Sequence, residues 1–297
     1  MKSLLICLSR RPAVPHLAVS GPLATTPIFG DCIAGHWIEH LTTLGARDIR
    51  IIVVDGEDQV RASVGNGARW GVRLEVIGSH VEPTRSEAAE KYKSVDPDGW
   101  LPAPHDIVSM SHLPGCPQAP LFESYAGWFA GLIAWMPLAL TPARIRTAEK
   151  SPGVWIGSRS RVSPMAKLFA PCWIGDQVSV EAGATIGPGA ILEDRTVVGS
   201  KACVTQSWIG PDTFVGPLTS VANSLAWGST LTDWRTDSSL IVPDPFLLSS
   251  LSTIQPADGT DRFGRTASQR ARSGSQIDLI QVLRTPLSEA SNLKLPS

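Results

Sequence analysis

Charged side chains that directly follow predicted strands are the first candidates for chemistry in this chain. Arg10 and Arg11 come after an apolar stretch at residues 2–8, and Asp55 comes after a second one at residues 48–54. Ligands of open α/β sheets bind outside the carboxyl ends of the strands. We therefore expect any substrate anion to bind near Arg10, Arg11 and Asp55. A turn or a helix cap is the alternative role for Asp55.

Histidine and cysteine supply few further candidates. His36 and His40 stand four residues apart on a predicted helix, so one helix face could hold a metal ion, but the sequence offers no third ligand. A surface helix is the alternative, and we predict no metal site. The cysteines form neither a CxxC motif nor a cluster with histidine, which argues against a zinc site or a disulfide framework. The sequence names no catalytic residue.

The composition excludes several classes of protein. Of the 297 residues, 43% are apolar, which is enough for a sizeable core, and 26 Lys and Arg balance 27 Asp and Glu. A formal net charge of −1 argues against nucleic-acid binding, which usually needs a basic excess. The amino-terminal apolar run is short and lacks the small-residue cleavage site of a signal peptide. We therefore expect a cytoplasmic protein.

A six-residue repeat is the strongest pattern in the chain. Every sixth residue from Ile156 to Val204 is aliphatic, and the series resumes at Ile209 after one five-residue step. Side chains alternate along a strand, so six residues give one short strand and a sharp turn. Three such units close a triangular coil, with the aliphatic residue inside and with glycine taking a positive φ at the turns. The repeat predicts a parallel β-helix of about four coils.

The first part of the chain has the pattern of an α/β domain. We predict strands at residues 2–8, 48–54 and 72–77, and helices at residues 33–44 and 57–64. Alternating strands and helices are typical of a parallel, doubly wound sheet. The polar, proline-rich stretch at residues 80–120 predicts little regular structure.

These patterns divide the chain into four parts. We predict an α/β domain at residues 1–120, an apolar linker helix at 121–150, a β-helix with its cap at 151–250, and a flexible tail at 251–297. The fold class is therefore α/β plus all-β.

An uncharged stretch at residues 124–140 allows a membrane interpretation. It is shorter than the about 20 apolar residues that a spanning helix needs, and Pro137 would end or kink a helix. A buried helix between two domains is the leading interpretation. An interfacial membrane contact and a true span are the alternatives.

Two segments of the α/β part resemble the sugar-nucleotide pyrophosphorylases. Residues 27–45 (PIFGDCIAGHWIEHLTTLG) match the family's Pro-[Val/Ile]-x-Gly turn and the helix after it, and residues 64–72 (VGNGARWGV) match a glycine-rich segment with Trp and Gly in register. A hexapeptide-repeat left-handed β-helix after a Rossmann-like nucleotidyltransferase domain is also a family arrangement, seen in mannose-1-phosphate guanylyltransferases. The resemblance implies nucleotidyl transfer from an NTP to a sugar 1-phosphate, with Mg²⁺ as the cofactor of an active enzyme.

The same resemblance exposes what the sequence lacks. The family's glycine-rich phosphate loop follows the first strand, whereas Ser9–Ser20 contains no glycine and its Pro12 and Pro15 remove two N–H donors. The domain at residues 1–120 is also truncated. We therefore expect a weak or degenerate pyrophosphorylase. The alternative is a non-catalytic regulatory or scaffolding protein of polysaccharide or nucleotide-sugar metabolism.

The β-helix also raises acyl transfer and oligomerisation. Hexapeptide acyltransferases use a histidine of the helix as general base, but every histidine here precedes residue 113, so acyl transfer is the least favoured activity. Tryptophans in the repeat are expected to cover coil faces or subunit contacts, with sugar stacking as the alternative. The expected partners are a nucleotide or sugar phosphate, and further copies of the chain in a trimer through the β-helix or another protein. We expect residues 224–236 to cap the coil.

Overall fold

The computed structural model describes residues 1–141 and 147–252, which fall within one compact unit, Met1–Ser252. The predicted tail therefore lies outside the described residues from position 253 onward. The first part of this unit has six strands and four α-helices. The strands are β1 (Lys2–Ile6), β2 (Pro27–Ile28), β3 (Asp31–Cys32), β4 (Asp48–Val53), β5 (Arg73–Gly78) and β6 (Ile107–Ser109). The helices are α1 (Ile33–Thr43), α2 (Glu57–Val64), α3 (Arg85–Ala88) and α4 (Tyr125–Trp135).

Four of these strands form a parallel sheet in the order β5-β4-β1-β6. Helices cover both faces because the buried residues of β1 point to opposite sides. Leu5 lies in the core that contains Ile33 of α1 and Val60 of α2, whereas Leu4 packs with Ala88 of α3. From β1 the chain adds β4 and β5 on one side and then β6 on the other side of β1. Ligands of open α/β sheets bind at the carboxyl ends of the strands where the order changes in this way, here between β1 and β6.

The predicted strands and helices of residues 2–77 are confirmed to within two residues at each end. The expectation of little structure at residues 80–120 is wrong. This stretch supplies β6, α3 and a following π-helical turn, Ala89–Lys93. Asp106 explains the order, because its buried carboxylate pairs with Arg85 and Lys93 at 2.6 Å each and fixes this helical segment beside β6.

The second part of the unit is a parallel β-helix. Its strands, with the antiparallel ones at its ends, are β7 (Ala148–Ser151), β8 (Val154–Ile156), β9 (Arg161–Val162), β10 (Lys167–Leu168), β11 (Cys172–Ile174), β12 (Ser179–Val180), β13 (Thr185–Ile186), β14 (Ala190–Leu192), β15 (Val197–Val198), β16 (Cys203–Thr205), β17 (Ser207–Ile209), β18 (Thr213–Val215), β19 (Ser220–Ala222), β20 (Ser224–Trp227), β21 (Thr230–Asp233), β22 (Ser238–Ile241) and β23 (Leu248–Ser250). Parallel strands three apart pair, which gives three sheets and four coils, as predicted.

The inside of the coils confirms the hexad, but the glycines act differently from the expectation. The repeated aliphatic residues form one buried core. Gly175, which follows Ile174, has no positive φ; it is required because a Cβ there would lie 2.6 Å from the Asp194 carboxylate on the next coil. At one corner the left-handed conformation falls instead on Arg159, Gln177, Arg195 and Asp212 of successive coils. Gly183, Gly187 and Gly189 do have the positive φ that the sequence predicts for glycines at the turns.

One face of the β-helix is covered by the α/β part. The outward residues in register along β8, β11, β14, β17 and β20, which we name the tryptophan stripe, are Trp155, Trp173, Ile191, Trp208 and Leu225. All are buried in the same core as α1 and α4. Trp128 of α4 meets the Trp208 ring edge-on at 6.4 Å between centroids. The tryptophans therefore cover a coil face, as expected.

The apolar stretch at residues 124–140 contains α4 and a 3₁₀ turn, Met136–Leu138, and α4 packs on the tryptophan stripe. No helix in the described part of the chain combines the length and the apolar character that a membrane crossing requires.

At the end of the coils, β21 pairs antiparallel with β20 and with β22, so residues 224–236 stop the parallel stacking. The predicted domain limits at 120 and 150 stay predictions.

Candidate functional site

The carboxyl ends of β1 and β4 bring two of the predicted site residues together. Arg10 and Asp55 follow these neighbouring strands, and the backbone N–H of Arg10 donates to Asp55 Oδ2 at 2.8 Å. The Asp55 carboxylate therefore binds the backbone of the loop that follows β1. In the described part of the chain, the guanidinium of Arg10 has no ion pair or hydrogen bond, and its side chain is exposed.

Arg11 is held by a residue that the sequence did not single out. Its Nη2 donates to both carboxylate oxygens of Glu82, at 2.6 and 2.9 Å, and its Nη1 donates to Ser9 Oγ at 2.8 Å. The N–H and the hydroxyl of Ser9 also donate to Glu82, each at 2.9 Å. Burial opposes ionisation of Glu82, but the hydrogen bonds from Arg11 and Ser9 outweigh it and lower the pKa of that carboxyl.

This clamp closes the loop that follows β1. Glu82 comes after β5, and β4 lies between β5 and β1, so the Arg11–Glu82 pair spans the carboxyl edge of the sheet. A cavity of about 440 Å³ lies against the loop. It is lined by Arg10, Arg11, Pro12, Pro15, Ala18 and Val19. Two arginines therefore line the cavity, and one of them, Arg11, is already paired with the Glu82 carboxylate.

The two histidines of α1, His36 and His40, lie away from this cavity and make different contacts. His36 Nε2 lies 2.9 Å from the carbonyl oxygen of Ile28, deep in the core. His40 packs on His105 with ring centroids 5.4 Å apart, and its pKa is lowered first by burial and then by that neighbour. Residues 1–141 and 147–252 contain no group of three or more His, Cys, Asp or Glu side chains that could hold a metal ion.

A buried carboxylate joins the α/β part to the β-helix. Glu193, just after β14, accepts from the backbone N–H of Phe29 at 2.8 Å, from that of Gly30 at 3.1 Å and from Trp208 Nε1 at 3.0 Å. Burial is the main cause that raises the pKa of Glu193 to about 7, and Asp194 adds to it against the three hydrogen bonds. Sequence reasoning missed this residue.

The repeat did contain a signal for Glu193. On this sheet the residue that follows the last inward aliphatic of each strand is glycine in the other coils, at Gly157, Gly175 and Gly210. A glutamate in a column of glycines is a departure that calls for a specific contact. That contact is the turn at Phe29 and Gly30, which lies between β2 and β3.

Comparisons with known proteins add little to this site. No protein-family model matches the chain, and no curated protein matches it. Among solved structures, the chain is similar to a mutant of perosamine N-acetyltransferase from Caulobacter crescentus, in complex with coenzyme A and GDP-perosamine. The identity is 16%, the match covers 62% of this chain and 94% of that chain, and the TM-score is 0.16. At this score the likeness transfers no activity.

The expected sugar-nucleotide pyrophosphorylase function is wrong. Neither a family model nor a curated protein supports it. The loop geometry gives the physical reason. Ser9 and Arg11 direct their donors to Glu82 and the Arg10 N–H is directed to Asp55, so these loop donors are already engaged with the protein's own carboxylates.

Proposed function

We propose that this chain is a non-catalytic, ligand-binding β-helix protein with a regulatory role. Its ligand is a small phosphate-bearing molecule of the nucleotide or sugar-phosphate class, and it binds in the cavity lined by Arg10 and Arg11. The observation that carries the proposal is the Arg10 guanidinium, which lines this cavity without a partner in the described part of the chain. A free guanidinium is suited to a phosphate because its donors match the oxygens in pairs.

The surrounding charges support binding rather than turnover. Glu82 is already paired with Arg11, and Asp55 accepts a hydrogen bond from the Arg10 backbone. Neither carboxylate is therefore free to act as a general base toward a bound ligand. Two guanidinium groups beside two carboxylates give a nearly neutral site. We therefore expect modest, salt-sensitive affinity for an anion.

The test is a calorimetric titration at low ionic strength with ATP, GTP, glucose 1-phosphate and inorganic phosphate. Arg10→Ala removes a charge-assisted contact and should weaken binding about tenfold. Asp55→Asn keeps an acceptor for the Arg10 N–H but removes a negative charge, so it should strengthen binding severalfold. Arg161→Ala, an exposed arginine on β9, is the matched control and should change nothing. Equal affinities for Arg10→Ala and Arg161→Ala would contradict the proposal.

We also propose that the chain assembles as a trimer through a left-handed β-helix. The sheet of β10, β13, β16 and β19 supports this, because Thr185 and Cys203, which are paired outward residues of its two middle strands, are small and half-buried, which allows a second copy to approach closely. Light scattering during size-exclusion chromatography should give three times the chain mass of 31.7 kDa. A monomer mass would overturn the trimer and favour a complex with another protein.

A further inference from the structure

A second cavity is lined by the later part of the segment between β1 and β2. It has a volume of about 240 Å³ and lies between residues 17–27 and Trp227, at the end of β20. Every side chain that lines it is uncharged, including Ser20, Thr25 and Thr26. The cavity is therefore unsuited to a phosphate and differs from the Arg10 cavity in the chemistry it offers.

Trp227 presents a fixed aromatic surface beside this cavity. Its ring meets Trp208 edge-on, with centroids 5.7 Å apart and an interplanar angle of 89°. Gly210 allows this position, because a Cβ there would lie 2.7 Å from two atoms of the Trp227 ring. Trp227 is only half-buried, unlike the tryptophans of the stripe. A held and accessible indole is the surface on which a sugar ring with an apolar face packs.

The cavity lining includes a hydroxyl that a ligand can reach. Ser20 is exposed, and its hydroxyl makes no hydrogen bond within the described residues. Thr25 Oγ1 donates to the Pro22 carbonyl at 2.8 Å and so keeps its lone pairs as acceptors. A ligand hydroxyl can therefore pair with Ser20 without displacing a hydrogen bond of the protein.

We propose that this cavity binds a neutral saccharide, with one ring packed on Trp227 and one hydroxyl hydrogen-bonded to Ser20. The ligand is neutral because no charged side chain lines the cavity, and polyhydroxylated because the lining offers hydroxyls beside an aromatic face. Its volume limits it to one sugar ring inside the cavity. This inference does not depend on the phosphate-bearing ligand proposed for Arg10, because the two cavities share no lining residue.

The experiment is saturation-transfer NMR of the full chain with methyl glucoside and methyl mannoside. Trp227→Ala should weaken binding about tenfold through loss of the aromatic surface. Trp234→Ala is the matched control, since Trp234 is also half-buried near the cap but is absent from the cavity lining and stacks on Phe129 instead. It should leave the affinity within about twofold.

Ser20→Ala separates a binding role from a structural one. It removes only an exposed hydroxyl, so the melting temperature should stay the same while sugar affinity falls about fivefold. Binding that Ser20→Ala or Trp227→Ala leaves unchanged would overturn the proposal, as would the absence of transfer to either sugar. Arg10→Ala should bind both sugars like the parent protein, so failure of the phosphate proposal and failure of this one give different results.

Discussion

Replacement of Trp173 by alanine should lower the free energy of unfolding by about 3–5 kcal/mol, the range for a buried tryptophan. Trp173 is 1% exposed and lies in the middle of the tryptophan stripe. Its ring packs edge-on against Phe29 at 5.0 Å and beside Trp155 at 6.4 Å. Truncation therefore opens a cavity between the α/β part and the β-helix. Chemical denaturation followed by circular dichroism measures the change.

Two variants control for this result. Trp173→Phe keeps a ring in the stripe and removes a buried indole N–H that has no partner, so its cost should be at most about 1.5 kcal/mol. Phe214→Ala truncates a half-buried outward aromatic residue of β18 that lies outside the core shared by the α/β part and the tryptophan stripe, and should cost about 1 kcal/mol. If Phe214→Ala and Trp173→Ala destabilise equally, the stripe is not the special contact described here.

Glu193 should make the stability of the protein fall as the pH rises through neutrality. Its pKa in the folded protein is raised from 4.5 to about 7, chiefly by burial. The folded state then binds more protons than the unfolded state between these values. The contribution of Glu193 is fully present below pH 4.5 and is lost as the pH rises through 7. A shift of this size corresponds to about 3 kcal/mol.

Denaturation of Glu193→Gln between pH 5 and pH 8 measures this contribution. The amide does not ionise, so the variant should gain stability relative to the parent protein as the pH increases. Glu181→Gln, an exposed glutamate on the preceding coil, controls for the change of residue type. If the difference between Glu193→Gln and the parent protein is the same at both ends of the range, Glu193 does not titrate as proposed.

The fold was predictable where the determining pattern is local. The hexad gave the β-helix and its four coils because each six-residue unit repeats the same inward position. Strands and helices of the α/β part also followed from short runs of apolar residues. β6 was missed because it has three residues within a proline-rich stretch, and its place depends on the Asp106 pairs with Arg85 and Lys93.

The site was harder to predict because its contacts join distant parts of the chain. Arg10, Arg11 and Asp55 were expected near one pocket, and two of them line the Arg10 cavity while Asp55 bonds the loop. The partner of Arg11, however, stands 71 residues away in a polar loop with no motif. Sequence spacing contains no information on such a pair. The tryptophan stripe, by contrast, recurs at the same place in successive coils and was open to detection.

The central claim, binding without turnover at the Arg10 cavity, is tested most directly by one equilibrium measurement. The parent protein is incubated with the tightest-binding phosphate-bearing compound of the titration panel, and the bound compound is then released and identified by mass spectrometry. Saturable binding, lost in Arg10→Ala, with the compound recovered unchanged, is the predicted result. No saturable binding, or recovery of a chemically altered product, would contradict the account.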